Sequence, residues 1–141
     1  MTITAPSLNL RIILIILSIS GWITILLIES SQPPAEIMAI IPGIDKAAHF
    51  FAFGILGLLV CALSFTLNPK PTLPLFSLPL LVVSLSGIIE ECYQIFVPGR
   101  TASLLDLLAD ILGAVFAIVL ANRLAWLSRI YARLRLKIPP L

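Results

Sequence analysis

The sequence predicts an all-α integral membrane bundle of four transmembrane helices with both termini in the cytoplasm. Of its 141 residues, 60% are hydrophobic and only 11% are charged, whereas about a quarter of the residues in an ordinary soluble domain are charged. The apolar residues form four long stretches, separated by short polar segments that contain proline or glycine. Most basic residues lie at one end of these stretches. Together these features indicate that lipid is the solvent of the fold.

The four apolar stretches are long enough to serve as membrane spans, because about 20 mostly apolar residues cross a hydrocarbon core about 30 Å thick. The first is longer than the apolar region of a cleaved signal peptide, so we expect it to be retained. Proline and glycine in the connecting segments end the helices. The predicted spans, within a single domain over residues 1–141, are residues 12–28, 47–67, 73–97 and 103–126.

The charged residues predict the orientation, because Lys and Arg in short loops are retained on the cytoplasmic side. With four spans, one side holds both termini and most of the nine basic residues: Arg11, Lys70, Arg123, Arg129, Arg133, Arg135 and Lys137. The other side holds Lys46, Arg100 and all seven acidic residues: Glu29, Glu36, Asp45, Glu90, Glu91, Asp106 and Asp110. We therefore expect cytoplasmic termini, a basic cytoplasmic tail over residues 127–141, and a multi-pass location in the plasma membrane.

The composition also excludes several classes of protein. A net charge of +2 is too small for a protein that binds nucleic acid through many phosphate contacts. Two cysteines do not make a disulfide framework, and the sequence has no Cys-x-x-Cys or His-rich zinc motif. We expect no cofactor, although a divalent metal is left open, and the lipid bilayer is the predicted partner. The oligomeric state is also left open.

Eight polar residues gather at the outer ends of the second to fourth helices and in their loops. Asp45 and His49 share a helix face, as do Asp106 and Asp110, because each pair is spaced by four. Ionisable groups at membrane depth are costly, so they should face one another or a water-filled cleft. The cluster predicts a functional site, with a structural salt-bridge cluster as the alternative. Its members are Asp45, Lys46, His49, Glu91, Gln94, Arg100, Asp106 and Asp110.

Some of these patterns also have structural interpretations. Ser103-x-x-Asp106 fits a capping box at the start of the fourth helix. The first helix has no ionisable group within its span, so its expected role is lipid-facing support. Small residues in the second and fourth helices favour close helix packing, and they are Gly54, Gly57, Gly113, Ala117 and Ala121.

Two stretches resemble the VanZ-like family of small bacterial membrane proteins. Residues 45–54 (DKAAHFFAFG) are similar to the family's Asp-Lys-x-x-His-x-x-x-Phe helix start. Residues 91–100 (ECYQIFVPGR), with Asp106 and Gly113 beyond them, are similar to its Glu-x-x-Gln, Pro-Gly-Arg, Asp and Gly-Ala pattern. The chain departs from this pattern at Asp110, where the family usually has Asn. The resemblance implies a role in the cell envelope, linked to teicoplanin resistance.

Two functions follow from the residues and the resemblance. In the first, the protein binds an anionic lipid or a glycopeptide-related ligand in an extracytoplasmic polar cleft. Lys46 and Arg100 would hold its phosphate or carboxylate, while Gln94, Asp106 and Asp110 complete the binding site.

The alternative function is an intramembrane hydrolase or transferase that acts on lipid-linked cell-wall substrates. His49, oriented by Asp45, would be its acid or base, with Glu91 or Asp110 as partner. In a variant of this mechanism, a divalent metal is held by His49, Glu91, Asp106 and Asp110, and oxygen-rich ligation would suit Mg²⁺ or Mn²⁺ better than zinc.

Overall fold

The computed structural model describes residues 7–35, 40–68 and 72–135, with side chains described as far as residue 133. Within these residues the chain is all-helical and contains no strand. The predicted all-α class is therefore confirmed. The four helices are α1 (Leu8–Ser30), α2 (Ile44–Leu67), α3 (Leu78–Gln94) and α4 (Leu104–Arg135).

Three of the described helices are long and apolar enough to cross a membrane, namely α1, α2 and α4. The third helix has 17 residues and is shorter than its predicted span of 73–97. Pro74 interrupts the start of that span, and the side chain of Asn122 binds the backbone N–H and carbonyl of Leu73 at 2.8 and 2.9 Å. These bonds replace helical ones, so α3 begins only at Leu78, with a proline in its first turn where no donor is needed.

The other helices extend past their predicted spans at one end or at both: α1 at each end, α2 at its start and α4 at its end. In α1, the side chain of Ser7 caps the helix start by accepting a hydrogen bond from the Leu10 backbone at 3.4 Å. At the other end of the chain, α4 continues through residues 127–135, so the start of the predicted tail is helical. Parts of the predicted topology lie outside the described residues: Glu36, Lys70, Lys137 and the rest of the tail. The orientation of the termini and the fourth span stay predictions.

The closest helix contact joins α2 and α4, and small residues make it. A side chain on Gly113 would collide with the backbone carbonyl oxygen of Phe50 and would lie 2.9 Å from the backbone nitrogen of Gly54. A side chain on Gly57 would lie 2.9 Å from the Cβ atom of Ala117. The predicted packing role of these small residues is confirmed, since bulkier ones would force the helices apart.

The apolar core lies beside this contact and extends to α1 and α3. Phe53, Leu56 and Val60 of α2 pack against Val83 of α3 and Ala114 of α4. The core fixes the relative positions of α2, α3 and α4, and therefore of the polar side chains at one end of the bundle.

Candidate functional site

A polar cavity of about 410 Å³ opens at the end of the bundle where α2 and α4 begin and α3 ends. We call it the polar cleft. Six of the eight residues predicted to converge line it, and they are Asp45, Lys46, His49, Gln94, Arg100 and Asp106. The other two, Glu91 and Asp110, are buried behind residues of its wall. The chain thus brings together residues from three helices and one loop, as their spacing predicts.

Lys46 connects the start of α2 to the start of α4. Its Nζ atom donates hydrogen bonds to Oδ2 of Asp45 at 2.6 Å and to Oδ1 of Asp106 at 2.8 Å. The Asp45 carboxylate also accepts a bond from the Lys46 backbone at 2.9 Å. Because the Lys46 and Asp45 side chains are each about one-third exposed, solvent screens the attraction. The more buried Asp106 fixes where the ammonium group lies.

His49 is paired with Asp110 rather than with Asp45. Its Nδ1 atom lies 2.9 Å from Oδ1 of Asp110, whose side chain is fully buried. The imidazole also stacks on Phe53, one turn further along α2. Gly87 of α3 makes room for the Asp110 carboxylate, since a Cβ atom there would lie 2.6 Å from Oδ2. These contacts fix the ring, and no described group hydrogen-bonds its other nitrogen, Nε2.

Ser103 and Glu91 cap the start of α4 together. The Ser103 hydroxyl accepts a hydrogen bond from the Asp106 backbone at 3.3 Å, which is one half of the predicted capping box. The other half comes from α3, because Oε2 of Glu91 accepts the Ser103 backbone N–H at 2.5 Å. Because Glu91 takes the place of Asp106 in the capping box, the Asp106 carboxylate is free to bind Lys46.

Three side chains in this region lie close enough together to hold a metal ion. One ring nitrogen of His49 and one carboxylate oxygen each of Glu91 and Asp106 lie within 4.8 Å of one another. They are three of the four residues expected for a metal. The fourth, Asp110, binds the imidazole on its Nδ1 side.

Arg100 is held by the end of α1. Its Nε atom donates to the carbonyl oxygen of Gln32 at 2.9 Å, and Nη2 donates to that of Glu29 at 3.2 Å. A cation at the C-terminal end of a helix also complements the helix dipole. The expectation that α1 serves only as lipid-facing support is therefore wrong, because its last turn forms part of the site. Backbone carbonyls carry this role, and the side-chain pattern of α1 does not reveal it.

A buried polar pair between α1 and α3 was not predicted from the sequence. The Ser30 hydroxyl donates a short hydrogen bond to Oε1 of Glu90, which also accepts one from Nε2 of Gln94 at 3.3 Å. The spacing of Glu90 and Gln94 by four residues was an available signal, since it puts both on one helix face. Ser30 is uncharged, and no basic residue adjoins Glu90 in the sequence, so no pair of opposite charges indicates this contact.

Two smaller cavities lie next to one another along α1 and α3, and the first of them adjoins the polar cleft. A connecting cavity of about 70 Å³ shares His49 and Arg100 with the polar cleft. It also shares Leu26, Phe53 and Glu90 with a mainly apolar space of about 180 Å³. We call that space the α1–α3 groove, and its lining residues are Ile23, Leu26, Leu27, Phe53, Ser86, Ile89 and Glu90.

Comparison with known proteins gives one match. A family model described as VanZ/LLP1 matches residues 5–126, which include all four helix starts and both motif stretches. No curated protein and no solved structure matches the chain.

Proposed function

The chain belongs to the VanZ/LLP1 family, as its motifs predict, and from this premise we propose that it is a multi-pass plasma-membrane protein that binds an amphiphile of the cell envelope. In this proposal, α3 is the fourth span, because its 17 residues extend for about 25 Å. Both termini are cytoplasmic. The polar cleft then opens on the extracytoplasmic side and holds an anionic lipid headgroup or a glycopeptide-related ligand.

The observation that carries this proposal is that the polar cleft and the α1–α3 groove both adjoin the same small cavity. The cavity between them shares lining residues with each, so the polar and apolar surfaces meet. A molecule with a polar head and a hydrocarbon chain fits both surfaces at once, since ligand sites combine apolar walls with a few convergent polar groups. A ligand without a chain would leave the groove unfilled.

Two basic residues retain hydrogen-bond donors for an anionic headgroup. Lys46 has three N–H donors and uses two of them on Asp45 and Asp106. Arg100 uses Nε and one hydrogen of Nη2 on the end of α1, which leaves Nη1 facing away from those bonds. Arginine is suited to this role, because its planar guanidinium binds phosphate or carboxylate through paired hydrogen bonds.

A lipid-binding measurement tests the proposal. The purified full chain in mild detergent is titrated with phosphatidylglycerol or phosphatidylcholine, and bound lipid is counted by native mass spectrometry. We expect preferential binding of phosphatidylglycerol and a loss of about tenfold in its affinity for Arg100→Ala, since a hydrogen bond to a charged group contributes about 1.5–3 kcal/mol. Arg123→Ala, 17 residues after Asp106 in α4 and therefore far from the polar cleft, is the matched control. Equal binding of both lipids by the wild type would contradict the proposal.

The predicted orientation has its own test. Single cysteines replace Ala35 and Arg133 in a Cys92→Ser background, because Cys92 is exposed whereas Cys61 is buried. A membrane-impermeant thiol reagent applied to intact cells should label position 35 only. External labelling at position 133 would invert the topology.

The envelope role also includes a link to teicoplanin susceptibility, which the family resemblance suggests. We expect His49→Ala and Arg100→Ala to change the susceptibility of cells that express the protein, with membrane levels checked by blot. A wild-type phenotype at normal abundance would refute a role of the polar cleft in resistance.

The pairing of His49 with Asp110 favours a second candidate, a hydrolase or transferase that acts on lipid-linked substrates. A carboxylate on Nδ1 orients an imidazole so that Nε2 faces a reactant, which is the arrangement of many general bases. Glu91 and Asp45 would assist in this mechanism. Purified protein incubated with radiolabelled lipid-linked precursor tests it: product that disappears in His49→Ala, with lipid binding retained, supports catalysis, and absence of product in the wild type argues against it.

A further inference from the structure

We propose that His49, Glu91 and Asp106 form a binding site for a divalent cation, with Mn²⁺ as the preferred ion. The three donors come from α2, α3 and α4, and their ligand atoms lie within 4.8 Å of one another. Two donors at about 2.0–2.3 Å from one cation are at most about 4.6 Å apart, so binding would draw the ligand atoms closer together than the 4.8 Å limit. The site goes beyond the proposed binding of an amphiphile and does not depend on it.

Glu91 has a buried carboxylate oxygen that lacks a partner in the part of the chain that the structure describes. The residue is only 7% exposed, and its Oε2 atom accepts the Ser103 backbone N–H. Its other oxygen, Oε1, is buried without a hydrogen-bond partner among the described residues. A buried acceptor without a partner costs about 1–3 kcal/mol, and more when it is charged. A cation would satisfy this oxygen.

His49 is already oriented as a metal ligand. Asp110 holds Nδ1 at 2.9 Å, and the stacked ring of Phe53 limits rotation of the imidazole. Histidine ligands commonly donate their second N–H to a carboxylate in this way, which fixes the tautomer and makes the free nitrogen more basic. Nε2, which no described group hydrogen-bonds, is then the ligand atom. This assignment uses the nitrogen that the catalytic alternative needs for proton transfer.

Asp106 has one oxygen to offer, because Oδ1 already accepts from Lys46. The nearby ammonium opposes a second cation, but Asp45 lies 2.6 Å from the same Nζ and offsets its charge. The carboxylates of Glu91 and Asp106 then balance the two charges of the ion. Because the Lys46 ammonium group stays nearby, we expect a lower Mn²⁺ affinity than that of a site whose ligands are all carboxylates.

The donor set selects the ion. Imidazole suits first-row transition metals, whereas carboxylates and water suit Mg²⁺, Ca²⁺ and Mn²⁺. Mn²⁺ meets both preferences. The polar cleft, at about 410 Å³, leaves room for water or a ligand oxygen at the remaining coordination positions.

Mn²⁺ binding to the purified wild-type chain is the decisive measurement. The protein is produced without a polyhistidine tag, and pulsed electron paramagnetic resonance records nitrogen coupling to the bound ion. The chain has one histidine, so imidazole coupling identifies His49. We expect one bound Mn²⁺ per chain with this coupling. No bound ion, or a bound ion without imidazole coupling, would overturn the proposal.

Two neighbouring glutamates provide a matched pair of variants. Glu91→Gln keeps an oxygen for the Ser103 N–H but removes a charged ligand, and we expect Mn²⁺ affinity to fall by about tenfold or more. Glu90→Gln removes an equally buried charge that is not one of the three ligands, and its Mn²⁺ affinity should fall much less than that of Glu91→Gln. Equal affinities in both variants would refute the site. Phosphatidylglycerol binding is also measured in the presence of a chelator. If lipid binding is retained while Mn²⁺ binding is absent, only the cation site is refuted, whereas loss of the lipid preference refutes the proposed function.

Discussion

The contact between α2 and α4 predicts the effect of Gly113→Ala. The new methyl group would lie 2.9 Å from the Gly54 nitrogen and would collide with the Phe50 carbonyl oxygen. Both are backbone atoms, so neither moves without its helix. An ordinary contact begins near 3.4 Å, and the tighter clash, with the Phe50 oxygen, therefore requires the two helices to separate by about 1 Å locally.

This separation has a cost in both stability and site geometry. Overpacking of this kind typically costs about 1–3 kcal/mol. The same two helices carry the bonds from Lys46 to Asp106 and from His49 to Asp110, at 2.8 and 2.9 Å. Those bonds should lengthen with the interface, so the variant should also lose Mn²⁺ affinity.

Thermal melting of the purified protein in detergent measures the effect. On the scale of soluble domains, each kcal/mol lowers Tm by about 4 °C, so we expect a decrease of about 4–12 °C. Gly21→Ala in α1 is the control, because a methyl group there meets nothing within 4 Å; its Tm should equal or slightly exceed that of the wild type, since alanine favours the helix. If Gly113→Ala melted with the wild type, the close contact would not limit stability, and the reasoning would be wrong.

Three other substitutions test separate parts of the structure. Asp110→Asn should lower Mn²⁺ affinity by about tenfold, because it weakens the partner of His49 Nδ1, and titration calorimetry would detect an unchanged value as a contradiction. Asn122→Ala removes both side-chain bonds to Leu73 and should lower the free energy of unfolding by about 1–3 kcal/mol, whereas a wild-type melting curve would show that these bonds do not matter. Gly99→Ala puts a side chain where φ is +82° and should cost about 1–2 kcal/mol; an unaltered Tm would argue against this turn.

Much of the site was predictable because short spacings determine it. The pair Asp106 and Asp110 lies on one face of α4, and His49 lies four residues after Asp45, so the helical period alone directs these groups inward. The tight turn at Pro98-Gly99, with a positive φ at the glycine, then returns the chain beside α3. Residue spacing and the position of this turn were therefore enough to predict that these residues come together.

The features that the sequence analysis missed depend on contacts between distant residues. Ser30 meets Glu90 across two helices, and the last carbonyls of α1 hold Arg100 although no side chain of α1 signals it. Likewise, the start of α3 is set by Asn122, which lies 49 residues from Leu73. Periodicity describes one helix at a time, and it is silent on such pairings.

Because Glu91 of α3 caps the start of α4, the first turn of α4 is ordered only when α3 is packed against it. The backbone N–H of Ser103 is bonded only while the end of α3 lies against it, at 2.5 Å. The first turn of α4 therefore opens together with the α3–α4 contact rather than fraying alone. In a hydrogen–deuterium exchange experiment, the amide of Ser103 becomes a reporter of whether α3 is docked.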